Sequence, residues 1–97
     1  MFPQLQTVIE TAADELGLSP GDLVTQGVRQ LLERQLRNVQ IEIYQISNAY
    51  AVRSVQELES LYRTDKLEEA TSWRDVQRLD HLEYRRDRLQ SLLESIS

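Results

Sequence analysis

The chain has 97 residues, no cysteine and a net charge of −5. That length holds one domain with one modest core, and the missing thiols exclude disulfides, thiolate nucleophiles and cysteine zinc sites. The negative balance argues against broad electrostatic attraction to DNA, RNA or anionic membrane. No apolar run approaches the roughly 20 residues that cross a bilayer, and MFPQLQ has neither the basic nor the long apolar region of a signal peptide. A soluble, cytoplasmic protein is expected.

The three glycines and two prolines all fall within the first 27 residues. Beyond them the usual helix breakers are absent, which favours long helices. The expected fold is all-α, a single domain over 1–97 with helices at about 3–16, 20–51, 54–63 and 72–95. The first helix carries Leu5, Val8, Ile9, Ala12 and Leu16 at the 3.6-residue period, one narrow apolar stripe. Gly17 suits the left-handed residue that closes it.

Ser19-Pro20-Gly21-Asp22 opens the second helix. Ser19 can cap, Pro20 fits the first turn, and Asp22 favours the positive end of the helix dipole. No stop signal follows until about Ala51. Leu32, Leu36, Val39, Ile43, Ile46 and Tyr50 are spaced alternately by four and three, a short heptad seam, and Val24, Val28 and Leu31 extend the same face. The alternation Val39-Gln40-Ile41-Glu42-Ile43 also permits a strand, with no second strand available to pair with it. At 1.5 Å per residue a helix over 20–51 is about 48 Å long. A compact globule of this length has a radius of gyration of about 12.5 Å. The helix then overhangs the globule, and its seam needs a break near Asn38, a second copy or a partner to cover it. A homodimer is expected, with residues 1–51 forming the helix pair and dimerisation region.

Ser54-Val55-Gln56-Glu57 has the form of a capping box for the third helix, which buries Leu58, Leu61 and Tyr62. A polar linker, Thr64 to Thr71, leads to Ser72-Trp73-Arg74-Asp75, a similar start for the fourth. There Leu82, Leu89, Leu93 and Ile96 share one face, with Trp73, Val76 and Tyr84 nearly opposite. A helix apolar on two sides contacts two bodies. Asp80, Glu83 and Asp87 form one charged edge and Arg74, Arg78, Arg85 and Arg88 the other. Opposed charged edges either stay solvated or set the direction of pairing with another helix. Residues 52–97 are thus expected to bind a protein partner through Trp73, Val76, Tyr84, Arg78 and Arg85.

Catalytic candidates are thin. His81 is the only histidine, with no serine-centred motif around it. Asp80, Glu83 and Asp87 have helical spacing that could hold a hard cation, but carboxylate sites in bundles gather ligands from several helices. Gly17 and Gly21 lack the third glycine and the lysine of phosphate-cradling loops. No enzyme activity, cofactor or metal is expected. Ala13, Gly17 and Leu23 match the small residue, turn glycine and buried aliphatic of a helix-turn-helix. The second helix opens with Pro20, Gly21 and Asp22, however, and has no basic residue before Arg29. An acid at the end that should meet phosphate argues against reading DNA.

LGLSPGDLVTQGVRQLLERQL resembles the paired helices of ribbon-helix-helix-type antitoxins. SVQELESLYRTDKLEEATSWRDVQRLDHLEYRRDRLQSLL resembles the C-terminal part of small helical proteins of bacteria and archaea, some of them thought to be antitoxin components. The best-matched residues are Ser54, Leu58, Trp73, Asp75, Leu82 and Glu83. Only Met1 and Phe2 precede Pro3, so the DNA-reading strand of ribbon-helix-helix proteins has no counterpart here. The resemblance implies a dimeric helical body and a partner-binding C-terminal segment that neutralises a toxin. The alternatives are an adaptor assembling through coiled-coil pairing and a helix-turn-helix regulator.

Overall fold

The computed structural model describes residues 3–64 and 69–96, and the described residues contain helices and no strand. Helix α1 spans Pro3–Leu16, α2 Pro20–Tyr50, α3 Val55–Arg63 and α4 Glu69–Ser95. Of the four helices expected at about 3–16, 20–51, 54–63 and 72–95, with one long central helix, three are main elements, α1, α2 and α4, and the nine-residue α3 is a short helix between α2 and α4. Helix α2 is unbroken through Asn38 and through Val39–Ile43, so the strand alternative and the proposed break both fail. An isolated strand would leave its backbone groups unpaired, whereas the helix satisfies them locally.

Local chemistry sets most of the ends. Gly17 takes φ 71°, and the Leu18 and Gly17 amides donate to the Ala13 and Asp14 carbonyls at 2.8 and 3.2 Å. This is a Schellman closure of α1. The Ser19 hydroxyl accepts from the Asp22 amide at 3.0 Å. Ser54 likewise accepts from the Glu57 amide, and the Glu57 carboxylate reaches back to the Arg53 amide at 2.8 Å, one residue beyond the usual capping-box donor. Helix α4 begins at Glu69 rather than with a cap at Ser72. Glu69 and Ala70 are strong helix formers, and propagation through them outweighs a cap three residues later. The rest of the expected linker, residues 65–68, lies outside the described residues.

The end of α2 falls where the sequence puts it, at about Ala51, but its geometry is not one that the sequence announces. Ala51 sits at φ 55°, ψ 42°, with its amide on Asn48 O and the Val52 amide on Ser47 O at 2.9 Å. This is again a Schellman closure, built without glycine. A left-handed alanine costs about 1–2 kcal/mol. Val52, turned inward by that reversal, is buried with Leu58, Val76 and Leu79, and burying such a side chain returns about 1.5–3 kcal/mol.

After the reversal the chain runs back. Arg29 donates to the Ile96 carbonyl at 2.8 Å, Arg78 pairs with Glu42 at 2.8 Å, and the Tyr50 hydroxyl bonds the Asp75 carboxylate. Partners rise along α2 as they fall along α4, so the two helices are antiparallel. Helix α3 lies on the first half of α4, also antiparallel. Its first amide, Val55 N, donates to Glu83 at 2.9 Å, and Tyr62 near its end packs on Trp73 with ring centroids 5.3 Å apart. One core cluster, Val52, Leu58, Val76 and Leu79, fills the closed end. A second, Val39, Leu82 and Leu89, continues along the α2–α4 contact, and Ile43 and Ile46 pack against both.

The molecule is a rod, 60 × 24 × 18 Å, with a radius of gyration of 19.6 Å. The assumption of a compact globule was therefore the weak step in the overhang calculation. Helix α4 covers the seam of α2 within the same chain, because two long helices bury their stripes along their length instead of wrapping a sphere.

Two substitutions follow from these ends. Ala51→Gly removes the left-handed strain and is expected to raise the unfolding free energy by about 1 kcal/mol in urea titration. The Ser47 hydroxyl is buried with no hydrogen-bond partner among the described residues. Ser47→Ala is expected to be neutral or to stabilise by about 1 kcal/mol in the same titration, and a clear loss would mean the hydroxyl has a partner.

Candidate polar and apolar groove along α4

The residues singled out in the sequence separate into two sets. Val39 is buried, and Leu32, Leu36, Ile43, Ile46 and Tyr50 are half-buried, all packed into the two intrachain clusters. Val76, expected on a partner-binding face, is only 5% exposed and sits in the closed-end core. The two-sided apolar pattern of α4 did report two neighbours, but the second is α3 of the same chain. Trp73 is 43% exposed and leans on Tyr62, while Tyr84 is 64% exposed.

The charged edges also find uses inside the molecule. Glu83 on the acidic edge caps the N-terminus of α3, where a carboxylate meets free amides and the positive end of the helix dipole. Arg78 on the basic edge pairs with Glu42 across the hairpin. Both partners are about half exposed, so this pair orients more than it stabilises. Arg85 and Arg88, farther along the same edge, have no carboxylate partner among the described residues.

Two adjoining cavities run along this edge. One, of about 290 Å³, lies between the hairpin helices, with Gln35, Asn38 and Glu42 of α2 facing Arg78, His81 and Arg85 of α4. The other, of about 220 Å³, is bounded by His81, Tyr84, Arg85, Arg88, Leu89 and Leu92. They share His81 and Arg85 and form one groove. Its floor is apolar, from Val39, Leu82 and Leu89, and its outer wall is the exposed pair Tyr84 and Leu92. Leu92 was not picked out by the sequence reading, because the Leu89–Leu93–Ile96 stripe beside it accounted for the local pattern. Arg88 was legible as a member of the basic edge.

No cluster of three histidine, cysteine or carboxylate side chains able to hold a metal occurs among the described residues. Asp80, Glu83 and Asp87 come from one helix, and Glu83 is already committed to the Val55 amide. His81 is exposed in the groove between arginines, with no nucleophile beside it in the lining. What the groove can do chemically is hold an extended apolar ridge that carries negative charge. No described helix is long and apolar enough to cross a membrane.

The division into core and groove residues is directly measurable. Val76→Ala is expected to lower the unfolding free energy by about 1–3 kcal/mol through lost burial and a residual cavity. Tyr84→Ala should change it by less than about 0.5 kcal/mol, as exposed positions do. Equal losses at both positions would contradict the assignment.

A search of the curated proteins and a search of the solved structures each give no significant match. A scan against family models matches one, described as "Uncharacterized protein MJ0235 family", over residues 1–97. The match spans the whole chain, and the chain therefore belongs to the Uncharacterized protein MJ0235 family.

Proposed function

We propose that the chain is a non-enzymatic protein-binding module whose α4 groove takes an acidic, amphipathic helical segment of a partner protein. The observation that carries this is the combination of unpaired Arg85 and Arg88 with exposed Tyr84 and Leu92 over an apolar floor. Aromatic and arginine side chains are the residue types that dominate binding energy at protein interfaces. A helix laid in such a groove presents apolar residues at i, i+3 and i+4, with its acids meeting the arginines at the rim. The local charge of the groove, not the net charge of −5, selects that segment.

The narrower form of the proposal is an antitoxin-like protein that neutralises a cognate toxin. It is supported by the resemblance of the two sequence stretches given above. An adaptor assembling through helix pairing uses the same groove without a toxin. The test is co-expression of the tagged chain with the products of directly neighbouring genes, followed by affinity measurement on any complex. The expected result is a stable complex weakened at least about tenfold by Tyr84→Ala and by Arg85→Glu, with relief of growth inhibition if the partner is a toxin. A complex indifferent to both substitutions would sink the groove assignment. Neighbouring products that bind but leave growth unimpaired would sink the antitoxin form alone.

A further inference from the structure

The first half of the molecule leaves apolar surface that α4 does not reach. Arg29 donates to the Ile96 carbonyl, which fixes where α4 ends along α2. Val24 and Val28 lie N-terminal to that point on α2, and with Leu31 they stay exposed. Helix α1 offers a second uncovered stripe. Leu5, Val8 and Leu16 are 48, 60 and 63% exposed, and Ala13 is the buried residue among the described side chains of α1. A 14-residue helix is at the margin of independent stability in water, and α1 packs on α2 with only Ala13 buried and Ile9 and Ala12 half-buried among its described side chains, leaving Leu5, Val8 and Leu16 of its stripe open.

We propose that a second copy of this chain covers the α1 stripe and the Val24–Val28–Leu31 face, forming a two-fold symmetric dimer. Three observations select a second copy. The first is area. The six exposed side chains together leave on the order of 500 Å² of apolar surface open, against a standard interface of about 800 Å² per partner, somewhat more than half of it apolar. The second is self-complementarity. A two-fold axis brings a patch against its own copy, and a charge close to the axis would meet its own copy, a like charge. The stripe positions Leu5, Val8, Ile9, Ala12 and Leu16, and Val24, Val28 and Leu31 on α2, carry none. The third is room. A Cβ built on Gly27, between Val24 and Leu31, meets nothing within 4 Å, so a neighbouring helix can approach α2 closely there.

This dimer differs from the one expected from the sequence. The seam from Leu32 to Tyr50 is filled by α4 and α3 and takes no part. It is also separate from partner binding by the α4 groove, because its residues lie on α1 and the N-terminal part of α2.

The test is sedimentation equilibrium of the full chain and of Val8→Glu and Val28→Glu, over about 1–200 µM so that affinities down to the high-micromolar range register. The wild-type chain is expected at twice its 11.3 kDa mass, and both variants at the single-chain mass with the far-ultraviolet helicity of α2, α3 and α4 retained and at most that of the 14-residue α1 lost. Should either glutamate variant lose helicity beyond that, Val8→Ser replaces it and is expected to weaken the dimer at least about threefold. Tyr84→Ala and Arg85→Glu should leave the mass unchanged. A wild-type monomer at the top of the range overturns the proposal. So does a dimer that survives both glutamate substitutions, or one lost only with the α4 variants.

Discussion

Everything in this molecule depends on the antiparallel contact of α2 with α4. Each helix carries one apolar stripe and neither can bury it alone. Laid against each other they supply the shared core of Val39, Leu82 and Leu89, and α3 widens that core at the closed end with Leu58 over Val76 and Leu79. Each fully buried side chain contributes about 1.5–3 kcal/mol. With so few of them in a rod only 18–24 Å thick, each is a large share of a stability of about 5–15 kcal/mol. The apolar contact sets how strongly the helices pair but discriminates poorly between one register and another. The polar contacts supply that choice. Arg29 with Ile96, Glu42 with Arg78 and Tyr50 with Asp75 span the length of the hairpin, and a slip of one turn would break all three.

The elements were legible wherever a local rule decided them. Gly17 at a positive φ and the caps at Ser19 and Ser54 follow from residues within a few positions of one another, whereas the continuity of α2 through Asn38, left open by the sequence, shows in the structure. What was not legible came from tertiary packing. The end of α2 near Ala51 was expected, but its left-handed closure was not, because a glycine-free closure is held by burial of Val52 against residues up to 27 positions away. Val76 looked available because its face of α4 opposes Leu82 and Leu89, and only the return of α3 shows that this face is core. The groove was half visible. Its charged rim appeared as an edge of arginines, but its depth arises from the spacing of two helices, which no single-helix pattern contains.

Charge is used in a similarly divided way. The chain is acidic overall, yet the groove edge is locally positive because the carboxylates are drawn elsewhere: Glu83 to the start of α3, Glu57 to the Arg53 amide, Asp75 to Tyr50. Arg85 and Arg88 line the groove beside Tyr84, while the exposed Asp80 and Asp87 do not line it. An acidic protein can in this way offer a cationic binding edge without being attractive to polyanions at long range.

Among the described residues the two core clusters meet at Ile43 and Ile46 of α2, which pack against both, and at Leu79 and Leu82, one turn apart on α4, which belong to one cluster each. In a globule, many paths would connect two parts of the interior. In this rod the coupling between the two clusters passes through about one helical turn each of α2 and α4. Those turns decide whether the chain melts as one cooperative unit or as two. Weakening them would separate the transitions, leaving the α3 end folded while the other cluster opens. The same four side chains would then set how strongly an event at one cluster is felt at the other.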